Sequence, residues 1–210
     1  GEDKEENFDE VNSELKDTNE NDKPEKFVLE DNSYFERYQN GKITTIKHYT
    51  ENGTLKVEGS HENDEKEGLW IEYHENGNIS LESYYSKGLD HGVFKNYSKN
   101  GKLEKEGNYN NGKFHGTGKG YYKDGSIHWE ENWENGERDG IWREWYENKN
   151  LKWEKTFRNS KLEGVIKEYH DNGQLSEENH FINNKRVGTW KYYSKTGELI
   201  KEEKYKDGEL

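Results

Sequence analysis

The 210-residue chain carries 45 acidic against 32 basic side chains, has no cysteine and no methionine, and only 27% of its residues are hydrophobic. A disulfide framework is excluded, no apolar run approaches the roughly 20 residues that span a bilayer, and a nucleic-acid binder, which needs a basic stripe along one surface, is disfavoured. So little apolar content is below that of an ordinary globular domain, but 14% of the residues are aromatic, and Tyr and Trp at fixed places can pack where a thick core is missing.

Residues 1–26 read as a disordered acidic tail with no periodic apolar pattern and the only proline, Pro24. Through Ser33 there are 13 acidic and 4 basic residues, a net of −9 out of −13, so most of the excess charge lies here. Such a tail is a solvated spacer, or a segment that docks on a basic partner. Without a methionine, residue 1 is not expected to be the natural start. An acidic spacer before a folded domain suits an extracytoplasmic or surface-anchored lipoprotein, with a cytoplasmic location as the alternative.

Residues 27–43 form a degenerate half-unit, expected to cap the N-terminal end of the repeats that begin at residue 44. Tyr38 to Gly41 matches Tyr85 to Gly88, but the step from Tyr38 to Tyr49 is one residue shorter than that from Tyr85 to Tyr97.

Residues 44–210 then repeat one 24-residue pattern seven times (44–67, 68–91, 92–115, 116–139, 140–163, 164–187, 188–210). Six units begin with a glycine, Gly68, Gly92, Gly116, Gly140, Gly164 and Gly188; the first has Thr44 in that place. Within each unit an apolar-polar run leads into Asn52-Gly53, Asn76-Gly77, Asn100-Gly101, Asp124-Gly125, Asn172-Gly173 or Thr196-Gly197, with Asn148-Lys149 as the exception. Asn-Gly between two such runs predicts a hairpin with a type I′ turn, because both residues tolerate positive φ. The second strand carries an aliphatic column (Leu55, Ile79, Leu103, Ile127, Leu151, Leu175, Leu199) and, six residues on, an aromatic one (His61, Tyr85, Tyr109, Trp133, Phe157, Phe181, Tyr205). By strand parity both columns share a face and the intervening glutamate points to the other. A further turn, such as Asn111-Gly112, closes each unit. Two strands per unit joined by short turns predict an all-β, elongated antiparallel meander of stacked hairpins, about 70 Å long for seven units at strand spacing.

The pattern G-x-[WF]-x-x-Y-x-x-N-G-x-L-x-x-E-x-x-Y-x-x-G resembles the MORN repeat in its bacterial variant form, over roughly residues 34–210. The resemblance implies a scaffold or interaction surface rather than an enzyme. Some members of that family are labelled antitoxins, which implies a toxin-binding protein as one alternative.

Three residue sets invite a chemical reading. Glu58, Glu82, Glu106, Glu130, Glu154, Glu178 and Glu202 recur in every unit; as carboxylates about 10 Å apart they are too distant to share a cation, and pairing with neighbouring lysines or turn amides is the expected role. Trp129 and Trp153 occupy a column that elsewhere holds Val57, Leu81, Lys105, Glu177 and Lys201, so they are either local packing or a platform for a sugar, a peptide or a partner's side chain. His91 and His115, with Asp90 and Asp139, are spaced too loosely for a zinc site, and no metal or other cofactor is expected. No thiol, nucleophile-elbow serine, phosphate loop or HExxH motif is present, so no catalytic residue is assigned. The expected function is a non-enzymatic scaffold with a protein partner. A glycan-binding module centred on Trp129 and Trp153 is the alternative, with no nucleic-acid or membrane-spanning role. The chain is expected to be a monomer, or a weak dimer through its C-terminal edge strand.

Overall fold

The computed structural model describes residues 23–209, so most of the acidic tail assigned to 1–26 lies outside the described residues; Glu25 and Lys26 already belong to a strand. In chain order the strands are β1 (Glu25–Val28), β2 (Tyr34–Asn40), β3 (Ile43–Tyr49), β4 (Leu55–Glu62), β5 (Glu65–Tyr73), β6 (Ile79–Ser86), β7 (Leu89–Tyr97), β8 (Leu103–Asn110), β9 (Lys113–Phe114) and β10 (Gly116–Tyr121). They continue as β11 (Ile127–Glu134), β12 (Glu137–Arg138), β13 (Gly140–Trp145), β14 (Leu151–Arg158), β15 (Lys161–Leu162), β16 (Gly164–Tyr169), β17 (Leu175–Ile182), β18 (Lys185–Tyr193) and β19 (Leu199–Tyr205). All pairings are antiparallel and join sequence neighbours, giving one open meander sheet. The short β9, β12 and β15 are the leading pieces of strands that continue as β10, β13 and β16. The expected all-β array of hairpins is the observed architecture.

The turns differ from the expectation in one respect. At Asn76-Gly77 only the glycine has positive φ, +84°. The His74 amide donates to Asn78 (2.8 Å) and the Gly77 amide to His74 (2.9 Å), so the loop is a type I turn followed by a left-handed residue, the three-residue solution. Asn76 is right-handed, and its Nδ2 donates to the Lys99 carbonyl of the next unit at 2.7 Å. Type I′ turns are instead the ones that close each unit; Asn111 and Gly112, for example, have φ of 49° and 76°.

The glycine that opens six of the units has a definite job. Gly68, Gly92, Gly116, Gly140, Gly164 and Gly188 have φ between +69° and +101°, where an L side chain collides with its own backbone. Each sits in a bulge: Glu58 pairs with Ile71 and Ser60 with Glu67, so residues 68–70 together face Gly59. The bulge turns Trp70 flat onto the opposite strand, where a Cβ on Gly59 would lie 2.2 Å from the indole. There Trp70 Nε1 donates to the Ser60 carbonyl at 3.1 Å, and Trp142 and Trp190 repeat the bond to Asn132 (2.9 Å) and His180 (3.2 Å). Thr44, lacking the glycine, makes no bulge, and β2 and β3 pair without a break from Tyr34↔Tyr49 to Asn40↔Ile43.

A second bulge overturns the expectation that the aliphatic and aromatic columns share a face. Glu72 pairs with Leu81 but Tyr73 with Ile79, which leaves Ser80 as an extra residue and shifts the parity between Ile79 and Tyr85. Ile79 therefore lies with Tyr73 and Glu82 on one face, and Tyr85 with Trp70 on the other. The same offset recurs at Leu55, Leu103, Ile127, Leu151, Leu175 and Leu199.

The two faces are thus an aromatic face and a charged face. On the aromatic one, Trp133–Trp142–Phe157 stand with ring centroids 5.2 and 5.0 Å apart, and Phe181–Trp190–Tyr205 at 5.1 and 4.8 Å. Trp70, Phe94, Trp142, Phe157, Ile166 and Trp190 are buried there by their own neighbours, with no second layer over them among the described residues. Arg138 caps Trp142 (4.6 Å) and Arg186 caps Trp190 (4.8 Å), covering ring faces while keeping their charge in water.

Candidate functional site

The charged face is a ladder with one residue per strand. Reading across the sheet, Lys26, Glu36, Lys47, Glu58, Ile71, Glu82, Lys95, Glu106, Lys119, Glu130, Arg143, Glu154, Lys167, Glu178, Lys191 and Glu202 are successive cross-strand partners. Carboxylate and cation alternate except at Ile71. Lys47 Nζ lies 3.0 Å from Glu58, Arg143 Nε donates to Glu154 at 2.7 Å, and Lys119 and Arg143 flank Glu130 at 3.7 and 3.6 Å. Opposite charges directly across a strand pair stabilise the sheet, each by a few tenths of a kcal/mol to about 1 kcal/mol.

Each carboxylate in the N-terminal half also receives a tyrosine. Tyr73 Oη donates to Glu58 (2.5 Å), Tyr97 to Glu82 (2.8 Å) and Tyr121 to Glu106 (2.5 Å), always from 15 residues further on. Tyr38 and Tyr49 do the same for Glu36, at 2.7 and 3.3 Å. Burial, with the neighbouring carboxylate next, pushes the phenols of Tyr38, Tyr49 and Tyr121 up to about 12, and those of Tyr73 and Tyr97 upward as well. Sequence reading found the seven glutamates but missed Glu36 and the tyrosines. The constant Glu-to-Tyr interval was the available signal.

Trp129 and Trp153 fall on the aromatic face, either side of Glu144, which pairs with both. Trp129 lies flat on Gly120, where a Cβ would come within 2.2 Å of its ring. Its unit has Gly118 where others place Trp70, Phe94 or Trp142, and Trp129 occupies the resulting space, with its Cζ3 3.7 Å from a Cβ at Gly118. Trp153 Nε1 donates to Glu144 Oε2 at 3.0 Å, Lys152 donates to Oε1 at 2.6 Å, and Lys155 Nζ sits 4.5 Å from the Trp153 ring centroid. Both indoles are half-buried.

The histidines do not converge. His115 Nδ1 lies 3.6 Å from Glu134, and no group of three or more metal-ligating side chains occurs among the described residues. His74 and His170 serve the stack: each Nε2 donates to the carbonyl 23 residues on, Tyr97 at 2.8 Å and Tyr193 at 2.9 Å. Tyr122 and Tyr146 make the equivalent bond in their units.

What the charged face leaves uncovered is aliphatic. The residue after each opening glycine points there, and Leu69, Val93, Ile141 and Val165 are 37 to 41% exposed, with Tyr84 across from Leu69 at 39%. No helix of the described residues is long and apolar enough to cross a membrane.

No curated protein matches the chain. A family model, the MORN repeat variant, matches residues 44–63, 66–87, 90–111, 138–159, 162–183 and 186–207. The gap, between 111 and 138, contains Gly118 and Gly120, where Trp129 takes over the packing of the missing aromatic. With most of the chain matched in tandem and each matched segment built as stacked hairpins, the chain belongs to the MORN repeat variant family.

Proposed function

We propose that this repeat scaffold is non-enzymatic and binds another protein along its charged face. The observation that carries this reading is the line of half-exposed aliphatic side chains, Leu69, Val93, Ile141 and Val165, set among a charge-balanced ladder. Apolar points inside a polar surround are the composition of a protein interface, and their spacing of about 10 Å per unit suits an extended partner. The ladder carboxylates are engaged by lysine, arginine and tyrosine, an arrangement that supports structure rather than acid–base chemistry. A location outside the cytoplasm, and toxin neutralisation as the task, are narrower versions of the same reading.

A glycan-binding role is the second reading, favoured by the two half-buried indoles flanking the Glu144 carboxylate. The test is capture with immobilised chain from lysate and cell-envelope fractions of the source organism, comparing Val93→Asp/Ile141→Asp/Val165→Asp with Trp129→Ala/Trp153→Ala, both checked for folding by circular dichroism. A protein lost with the first variant and kept by the second supports the proposal. Retention of polysaccharide alone, lost with the tryptophans, replaces it with the glycan reading.

A further inference from the structure

We propose that copies of the chain associate head to tail, β1 of one copy adding to the outer edge of β19 in the next and continuing the sheet. Among the described residues these two strands have a partner strand on one side only, β2 and β18 respectively. Strand direction alternates along the meander, and counting each bulge-interrupted strand once gives an even number, so β1 and β19 run in opposite directions. A second copy shifted along the sheet with the same face outward therefore presents β1 antiparallel to β19, the relation found at every internal junction.

The charge ladder sets the register. It begins at Lys26 on one edge and ends at Glu202 on the other, so joining the edges continues the alternation, with Lys26 opposite Glu202. Phe27 then falls opposite Lys201, and Val28 meets the Leu199–Ile200 corner. Val28 and Ile200, 64% and 66% exposed, are the most exposed large apolar residues among those described, and their neighbours Leu29 and Leu199 are 43% and 51% exposed. The junction brings all four together. Glu25 meets Glu203, each already paired within its own copy, to Arg37 and to Lys201. The turn after β19, closed by the Lys206–Glu209 bridge, occupies the other end of that strand, and among the described residues nothing pairs with the outer edge from Leu199 to Glu203. Such a contact uses two different surfaces and does not close on itself, so it grows into open chains rather than stopping at a dimer. A four-residue strand buries little area, which makes the association weak.

The experiment is sedimentation and light scattering of the 210-residue chain up to on the order of 1 mM. Wild type should gain mass continuously with concentration. Val28→Glu and Ile200→Glu, each folded by circular dichroism, should each stay monomeric, and their equimolar mixture should form a dimer and nothing larger, because each copy keeps one intact edge. Lys26→Glu and Glu202→Lys should each weaken association by roughly tenfold, and the two together in one chain should restore it. A wild type that remains monomeric overturns the proposal. So does a Val28→Glu chain that still dimerises by itself, since that contact would join β19 to β19, and so does a double charge swap that associates no better than the single variants.

Discussion

Replacing Gly140 with alanine tests the claim that the opening glycine is there for its backbone angle. Gly140 has the largest φ of its column, +101°, and a left-handed conformation costs an L residue roughly 1–2 kcal/mol. The new methyl would also stand 3.1 Å from Asn132 Cβ, inside ordinary contact, and Asn132 has little room to yield because its Nδ2 donates to the Ile141 carbonyl. Against this, alanine restricts the unfolded chain and returns about 0.4–1 kcal/mol. The net loss is expected near 2 kcal/mol. Gly116, with φ +77° and nothing within 4 Å of a Cβ, isolates the backbone cost, and Gly116→Ala should lose about 1 kcal/mol. Asparagine tolerates the left-handed region, so Gly116→Asn should lose less than Gly116→Ala. Urea denaturation gives the sizes. Amide hydrogen exchange should place the weakening in the substituted unit and its neighbours, because an array couples chiefly to adjacent repeats. Equal stability of wild type and Gly140→Ala, or a Gly116→Asn as costly as Gly116→Ala, would refute the backbone argument.

Other perturbations obey the same logic. Lys149 holds φ +69° where the other units have glycine, so Lys149→Gly should raise stability by a few tenths to about 1 kcal/mol, measured by thermal denaturation. Trp129→Ala should cost about 2 kcal/mol, less than a fully buried tryptophan. Gly120→Ala, damaging in wild type because its Cβ strikes the indole, should become nearly neutral in the Trp129→Ala background; a double-mutant cycle reads that coupling. Tyr38, Tyr49 and Tyr121 have folded pKa values raised to about 12 from 10.0. Their contribution is therefore complete below pH 10 and lost as the pH rises through 12, visible as late phenolate absorbance coinciding with unfolding. Glu203 moves oppositely: hydrogen bonds from Lys201, Tyr192 and Tyr205 lower its pKa from 4.5 to about 2. Its contribution is present above pH 4.5 and lost as the pH falls towards 2, and Glu203→Gln should flatten that part of the acid unfolding curve.

The 24-residue period, carried by Gly68 and its equivalents, by the Asn-Gly pairs and by the glutamate column, determined by itself that the chain is a meander of hairpins and where its turns fall. Local residue preferences suffice for that, because turns and strands form over a few residues whose identities recur. What lay beyond the sequence was the sidedness. Parity places Ile79 with Tyr85, but the extra residue at Ser80 reverses it, and the three-against-one bulge at Gly68 is what turns Trp70 onto Gly59. A bulge shifts register by one or two residues without any obligatory signature of its own, and a one-residue shift exchanges the faces of everything beyond it. For the same reason the partners of Glu58, the nature of the space under Trp129, and the meeting of a lysine edge with a glutamate edge were decided only when the strands were paired in three dimensions.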